Sequence, residues 1–325
     1  MRKKIVRSLF ALCVSAASLS AYAQPAIPRE YVEHPGFSIG MNFGATDLWG
    51  DVGTQSLVDH YTNGKYFDKM CFMGGLFGRF TAHPMLAARL GVNYGTLYAT
   101  DAWNEKKALT ASSVEADAFQ RYLRNQDIKA NIWESTFQLE FFLFRSNSES
   151  AAARRRWQPY LTAGVGVFHY RPFSTFIDRT TRAEKWVYVG DLGLEGEGFE
   201  YDDPTPGYAM KTKFWQVNVP AGIGLRFDMN DRMSWGIEYL YRVTFTDRLD
   251  NVSGDYVSAE YLERYLTPEK AAVAKEMYDK SWAIQPGAKQ EAWTKRGNNE
   301  NKDSYSSLSL MLIYKFKSNK IPWWF

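Results

Sequence analysis

The chain has 325 residues, with 39 Lys and Arg against 36 Asp and Glu and a formal charge of +3. So even a balance excludes a polyacid or polybase and gives no bulk-charge reason to expect nucleic acid. The 45% apolar content excludes disorder, and past the first 23 residues no stretch has the ~18 uncharged apolar residues of a membrane helix, so a membrane reading must use strands.

Residues 1–23 read as a secretory signal. Arg2, Lys3, Lys4 and Arg7 form a basic start, Leu9 to Ala17 an apolar core, and Ala21-Tyr22-Ala23 a cleavage site, so the mature chain is expected to start at Gln24. Cys13 follows bulky Leu12 inside the apolar core, which argues against a lipoprotein. Cleavage removes four cationic side chains and no acidic one, leaving the rest close to neutral, with Cys71 as its lone cysteine and no intramolecular disulfide. Residues 24–35 are expected to be a periplasmic segment.

From there one pattern repeats: period-2 alternation broken by turn-rich or long polar segments. It predicts eight strands, at 36–48, 69–81, 86–99, 131–144, 157–170, 215–227, 234–246 and 305–316. In the sixth, Trp215, Val217, Val219, Ala221, Ile223, Leu225 and Phe227 share one face, and Gln216, Asn218, Pro220, Gly222, Gly224 and Arg226 the other. The seventh repeats this, with Leu240 as an exception on its polar face. Each strand is long enough for the ~9–11 residues of a tilted membrane strand. The links 82–85, 145–156 and 228–232 are short, whereas 49–68, 100–130, 171–212 and 247–304 are long. Short turns at one end and long loops at the other is the outer-membrane barrel arrangement, and an even strand number puts both ends of the barrel on the periplasmic side.

Period 2 does not say which face is outside, because a soluble barrel alternates too. Two features favour the membrane version. Trp133, Trp215, Trp235, Tyr94, Tyr98, Phe227 and Phe245 stand near strand ends on the apolar face, as interfacial girdles do. The polar face is rich in glycine, which a narrow lumen needs to fit large neighbours. The lumen would then hold Arg79, Arg89, Glu134, Glu140, Arg226, Glu238, Arg242 and Lys315, read as a paired plug in preference to an open selectivity ring. Cys71 is expected to face the lumen beside Met73.

Chemistry is sparse. His169, with Ser174 and Asp178 nearby in sequence, is the best candidate for a lipid-modifying centre, and an ordinary interfacial histidine is the simpler reading. No enzyme, cofactor or firm metal site is expected. The acidic run Asp191, Glu195, Glu197, Glu200, Asp202, Asp203 contains weak calcium candidates without EF-hand spacing, and reads rather as a solvated loop. Ser112-Ser113-Val114-Glu115 reads as a capping box opening a helix that runs to Leu123, and Thr267-Pro268-Glu269 as the start of a helix through Ala271 to Tyr278. A loop of nearly sixty residues is long for a passive element. Arg154-Arg155-Arg156 lies on the short-turn side, where it could meet an acidic partner or headgroups or be a solvated turn.

Several ordered segments resemble the PorG-like outer-membrane barrel family of the type IX secretion system. Leu192-Gly193-Leu194-Glu195-Gly196-Glu197-Gly198 is similar to its L-G-T-E-G-Q-G loop, and Val219 to Phe227 to its I-P-F-G-I-G-x-K-Y strand. The run Thr244-Phe245-Thr246-Asp247-Arg248-Leu249-Asp250-Asn251-Val252-Ser253 resembles T-F-T-D-Y-L-D-D-V-S, with Arg248 and Asn251 as departures. Arg296-Gly297-Asn298, Asp303-Ser304-Tyr305 and Tyr314-Lys315-Phe316 resemble its closing elements, and Gly50-Asp51 and Trp133-Glu134 to Phe141 are fainter echoes. The longer loop 254–295 and the tail 317–325 also depart from the pattern. The resemblance covers about 36–316. It implies a non-enzymatic barrel in a protein-export machine that docks a periplasmic ring formed by a lipoprotein and its partner. Arg154, Arg155, Arg156 and the tail are then the expected contacts. The rival readings are a structural or adhesive barrel unrelated to secretion, a small-solute channel, and the lipid-modifying enzyme. The expected architecture is all-β: an eight-stranded antiparallel up-and-down transmembrane barrel over 36–316, with long, partly helical outer loops, in the outer membrane.

Overall fold

The computed structural model describes residues 36–53, 69–83, 85–144, 157–202, 207–229 and 232–316. The signal segment, residues 24–35, Arg154 to Arg156, Asp203 and the tail 317–325 lie outside the described residues. In chain order the strands are β1 (Gly36–Trp49), β2 (Cys71–His83), β3 (Leu86–Thr100), β4 (Asp127–Phe142), β5 (Trp157–Ile177), β6 (Glu184–Tyr188), β7 (Glu200–Tyr201), β8 (Gly207–Tyr208), β9 (Trp215–Asp228), β10 (Met233–Thr244) and β11 (Ser304–Lys315). The helices are α1 (Glu105–Ala108), α2 (Asp117–Arg124), α3 (Ala259–Tyr265) and α4 (Pro268–Tyr278).

Eight of these strands close on themselves. β1 pairs antiparallel with β2, then β3, β4, β5, β9, β10 and β11 follow in turn. β11 returns to β1 from Ser38↔Lys315 to Trp49↔Ser304. The protein is thus a closed eight-stranded antiparallel barrel, with no open sheet edge around the wall. The ladder between β5 and β9 lapses around Pro220, which has no N–H to offer.

The orientation of the wall is inverted relative to a soluble protein. Leu310 is 62% exposed and Trp215 68%, whereas Arg226 and Arg242 are 1% exposed. Apolar residues outside and charges inside suit lipid and not water, which makes this a transmembrane barrel of the outer-membrane type. The aromatic side chains form two rows. Tyr94, Trp133, His169 and Trp215 are successive register partners around one rim. Trp157, Phe227 and Trp235 lie near the other, with ring centroids 4.6 to 5.7 Å apart. Trp215 and Phe227 are on one strand, and a rise of ~3.4 Å per residue at a tilt of ~40° sets the rows roughly 30 Å apart, the thickness of a bilayer core. Tyr98 departs from the expected girdle: it packs against Trp103 and Trp186 above the row.

The glycine-rich inner face makes room for large side chains. A Cβ on Gly224 would collide with the Tyr160 ring, one on Gly40 with Phe77, and one on Gly222 with Leu240. Leu240 is therefore an inward residue seated over a glycine, which resolves its odd place in the alternation. Gly224→Val is expected to displace Tyr160, whose hydroxyl donates to Glu238 at 2.8 Å, and to destabilise the barrel by about 1–3 kcal/mol. A lower urea midpoint of the folded, heat-modifiable form checks this.

Two strands outgrow the wall. β4 begins at Asp127, not 131, and β5 runs on to Ile177, not 170, pairing with β6 in a hairpin that stands beyond the membrane. The loop 171–212 is therefore partly β, whereas the helices expected in the loops 100–130 and 247–304 are present. α4 starts as read, with Pro268 in its first turn and the Thr267 hydroxyl accepting from the Lys270 N–H. α2 starts later than the capping box implies: Ser113 accepts from the Glu115 N–H in a local turn, and Ala116 precedes the helix. The α3 segment was not foreseen.

Candidate functional site

Two regions hold the polar chemistry: the lumen and a folded cap of loops on its long-loop mouth.

The lumen is filled in tiers. At its base, Asp228 receives Lys315 Nζ at 2.7 Å and faces Arg226 Nε at 3.6 Å. In the middle, Arg79 Nε meets Glu140 at 2.7 Å, and Arg89 spans Glu140 at 3.3 Å and Glu238 at 2.8 Å. Above, Arg242 Nε meets Glu134 at 2.7 Å, and Glu134 also accepts from Asn218 at 2.8 Å, Tyr305 at 2.9 Å and Asn93 at 3.2 Å. Arg79 and Arg226 stack over Phe142, and Arg89 over Phe77. The eight charges named from the sequence are brought together in one column, with Asp228 as the counterion the sequence reading left out. Each buried charge needs such partners to persist. Cys71, half-buried, shares the inward face of β2 with Met73.

The cap has its own apolar core. Leu48, Val52, Leu97, Ile128, Leu192, Leu249, Tyr256, Leu262 and Met277 are buried there together, drawn from strand ends and loops far apart in sequence. Four buried carboxylates tie these loops. Asp101 receives Arg124 through both oxygens at 2.8 Å and accepts from the Gln126 and Gly53 N–H groups. Burial opposes the charge on Arg124, but Asp101 more than offsets it and raises the guanidinium pKa. Glu195 meets Arg296 at 2.7 Å and Arg248 at 3.3 Å, and accepts from the Ser253 and Gly254 N–H groups. Asp250 accepts from the Val52 and Val252 N–H groups, while Asp303 accepts from Leu249. Gly50 lies between the last two; a Cβ there would press on both carboxylates. Burial pushes Asp250 up to about 7 and Asp303 well above the usual carboxylate range.

This corrects the solvated acidic loop. Glu195 is 6% exposed, and three more acids of the run face cations while Glu200 stays exposed: Asp191 meets Lys270, Glu197 meets Arg248, and Asp202 meets Arg264 at 2.6 Å. Glu195 and Glu197 share Arg248, while Asp191 and Asp202 form separate surface pairs, so among the described residues these acids do not converge as a calcium cage would require. Gly193, Gly196 and Gly198 each have positive φ, which explains their spacing in the loop. Nor are the proposed catalytic partners brought together. His169 lies on the outer wall against Trp215, Ser174 is buried between Asp127 and Lys280, and Asp178 accepts from the Thr180 and Thr181 N–H groups in the β5–β6 turn.

Beside the cap core, a polar cleft of about 410 Å³ opens between Arg121, Lys295, Asn298 and Gln290. It is a feature of the folded loops that sequence reading missed.

No protein family and no curated protein matches the chain. Solved structures with a similar strand arrangement include neisserial surface protein A, with 8% identity over 86% of this chain and 97% of that one, at a TM-score of 0.35. The outer membrane protein OprG from Pseudomonas aeruginosa has 10% identity over 88% and 98%, at 0.35. Ail, the attachment invasion locus protein of Yersinia pestis, solved with the heparin analogue sucrose octasulfate, has 9% identity over 87% and 99%, at 0.34.

Proposed function

We propose that this barrel is a non-enzymatic subunit of a protein-secretion machine of the type IX, PorG-like kind, holding a periplasmic ring complex at the outer membrane. One observation carries the reading. Five of the segments that resemble that family, Gly50-Asp51, Leu192 to Gly198, Thr244 to Ser253, Arg296 to Asn298 and Asp303 to Tyr305, lie far apart in sequence yet meet in one hydrogen-bonded cluster at the mouth, whereas the others lie in the wall. Asp51 accepts from the Asn298 N–H, Glu195 joins Arg296 to Ser253 and Gly254, and Asp303 receives the Leu249 N–H. A resemblance spread over scattered runs gains weight when those runs build one structure. The filled lumen favours a scaffold over a small-solute channel.

The ring would meet the short-turn side. Arg154, Arg155 and Arg156 in the β4–β5 connection, together with the 317–325 tail, are the contacts this reading assigns to its lipoprotein and partner. The test is gene deletion followed by fractionation of type IX cargo. Cargo held in the periplasm, with other outer-membrane proteins at normal levels, is the expected result. Cargo reaching the surface normally would overturn it. The adhesive reading would then lead, because the ordered cap presents its polar cleft outward.

A further inference from the structure

The outer wall carries a short row of cations where it leaves the membrane. Arg171 is the register partner of Asn131, two residues beyond the Trp133–His169 pair of the aromatic row. Lys129 lies four residues beyond Trp133 on β4, and Lys213 two residues before Trp215. At ~3.4 Å per residue along tilted strands, the three stand roughly 5–10 Å above the aromatic row, at headgroup depth.

Their surroundings are unlike those of the cations inside the cap. Arg124, Arg248, Lys280 and Arg296 are all ion-paired. Among the described residues, neither Lys129 nor Arg171 has a carboxylate within ion-pair distance; each rests on aromatic rings. Lys129 Nζ lies 5.8 Å from the Trp186 centroid, and the Arg171 guanidinium 5.1 Å from that of Tyr188 and 5.8 Å from that of Phe173. Two neighbouring acids are already taken: Asp127 holds Lys280, Ser174 and Thr175, and Asp191 holds Lys270. Arg171 and Lys213 are exposed. Aromatic support therefore holds unneutralised charge outward, at the depth where a membrane places its phosphates.

We propose that Lys129, Arg171 and Lys213 bind the phosphate groups of the glycolipid in the outer leaflet, with Trp186 and Tyr188 flanking it. Arg171 presents a planar fork that suits two phosphate oxygens, and the lysines add point charges. The inference rests on the position of the barrel in the membrane, independently of any part in secretion.

The full mature chain is folded into detergent micelles and titrated with bisphosphorylated lipid A, its dephosphorylated form, or phosphatidylglycerol, and retained lipid is counted by native mass spectrometry. The bisphosphorylated glycolipid is expected to be retained preferentially. The double variant Lys129→Gln, Arg171→Gln should weaken retention roughly tenfold to thirtyfold, at the strength typical of two basic residues at a membrane surface. Lys302→Gln, on the far side of the mouth, should leave it unchanged. Heat-modifiable migration on gels shows that each variant has folded. Equal retention of the dephosphorylated glycolipid or of phosphatidylglycerol overturns the proposal, as does undiminished retention by the folded double variant.

Discussion

Arg89→Ala is expected to destabilise the folded barrel by about 3–5 kcal/mol, the largest single effect in the wall. Arg89 is 4% exposed and bridges two carboxylates, Glu140 at 3.3 Å and Glu238 at 2.8 Å, besides donating to Gln138 at 2.8 Å. Its removal leaves Glu140 with Arg79, but Glu238 only the Tyr160 hydroxyl among its described charged or hydroxyl partners. A carboxylate so placed is desolvated without its cation, and that penalty outweighs the lost contact itself. The double change Arg89→Met, Glu238→Leu should recover much of the loss, because it removes both charges. Urea unfolding in phospholipid vesicles, read by heat-modifiable migration, gives the comparison. A loss below about 1 kcal/mol would mean that water reaches Glu238 and takes over from Arg89, and the lumen would then have to be treated as a hydrated path.

The wall was legible in the sequence because lipid allows it little freedom. A strand between hydrocarbon and a filled lumen must alternate strictly, so Trp215 to Phe227 could be read residue by residue, and Leu240 alone in its strand broke the rule because Gly222 opposite gave it room. The lumen charges followed from the same alternation. Asp228 was missed because it lies where the strand meets its turn, and its worth depends on Lys315, 87 residues away. The cap was harder for the same reason on a larger scale. Glu195 and Arg296 are 101 residues apart, and nothing local marks either as the other's partner. An acidic run with no basic residue inside it looks solvated until Arg248, Arg264, Lys270 and Arg296 arrive from another loop. What sequence did offer was indirect: five of the segments that resembled one family, from Gly50-Asp51 to Asp303-Ser304-Tyr305, met in the cap.

The cap should be firmer in mildly acid than in alkaline solution, with the change centred near neutral pH. Asp250 and Asp303 lie on either side of Gly50, outside the membrane, and are surrounded by Asp51, Asp247, Arg124 and Lys302. Burial raises Asp250 to about 7, with the charge on Asp51 adding to it, and raises Asp303 well above the usual carboxylate range, with Asp250 and Asp247 adding to that. In the unfolded chain both titrate near 4. Between those values the folded cap binds more protons than the unfolded chain, so stability falls as pH rises. The contribution is fully present below about 4 and is lost as pH passes through about 7 and beyond. For Asp250 it amounts to roughly 4 kcal/mol at most. The N–H groups of Val52 and Leu249, which these carboxylates accept, report on it directly. Their protection against hydrogen exchange, corrected for the intrinsic pH dependence of exchange, should be greater at pH 6 than at pH 9. Asp250→Asn keeps an acceptor for one of the two N–H groups and carries no charge at any pH, so it should flatten the dependence while leaving Asp303 to titrate alone. Protection that rises towards pH 9, or a slope untouched by Asp250→Asn, would show that this carboxylate pair does not govern the cap.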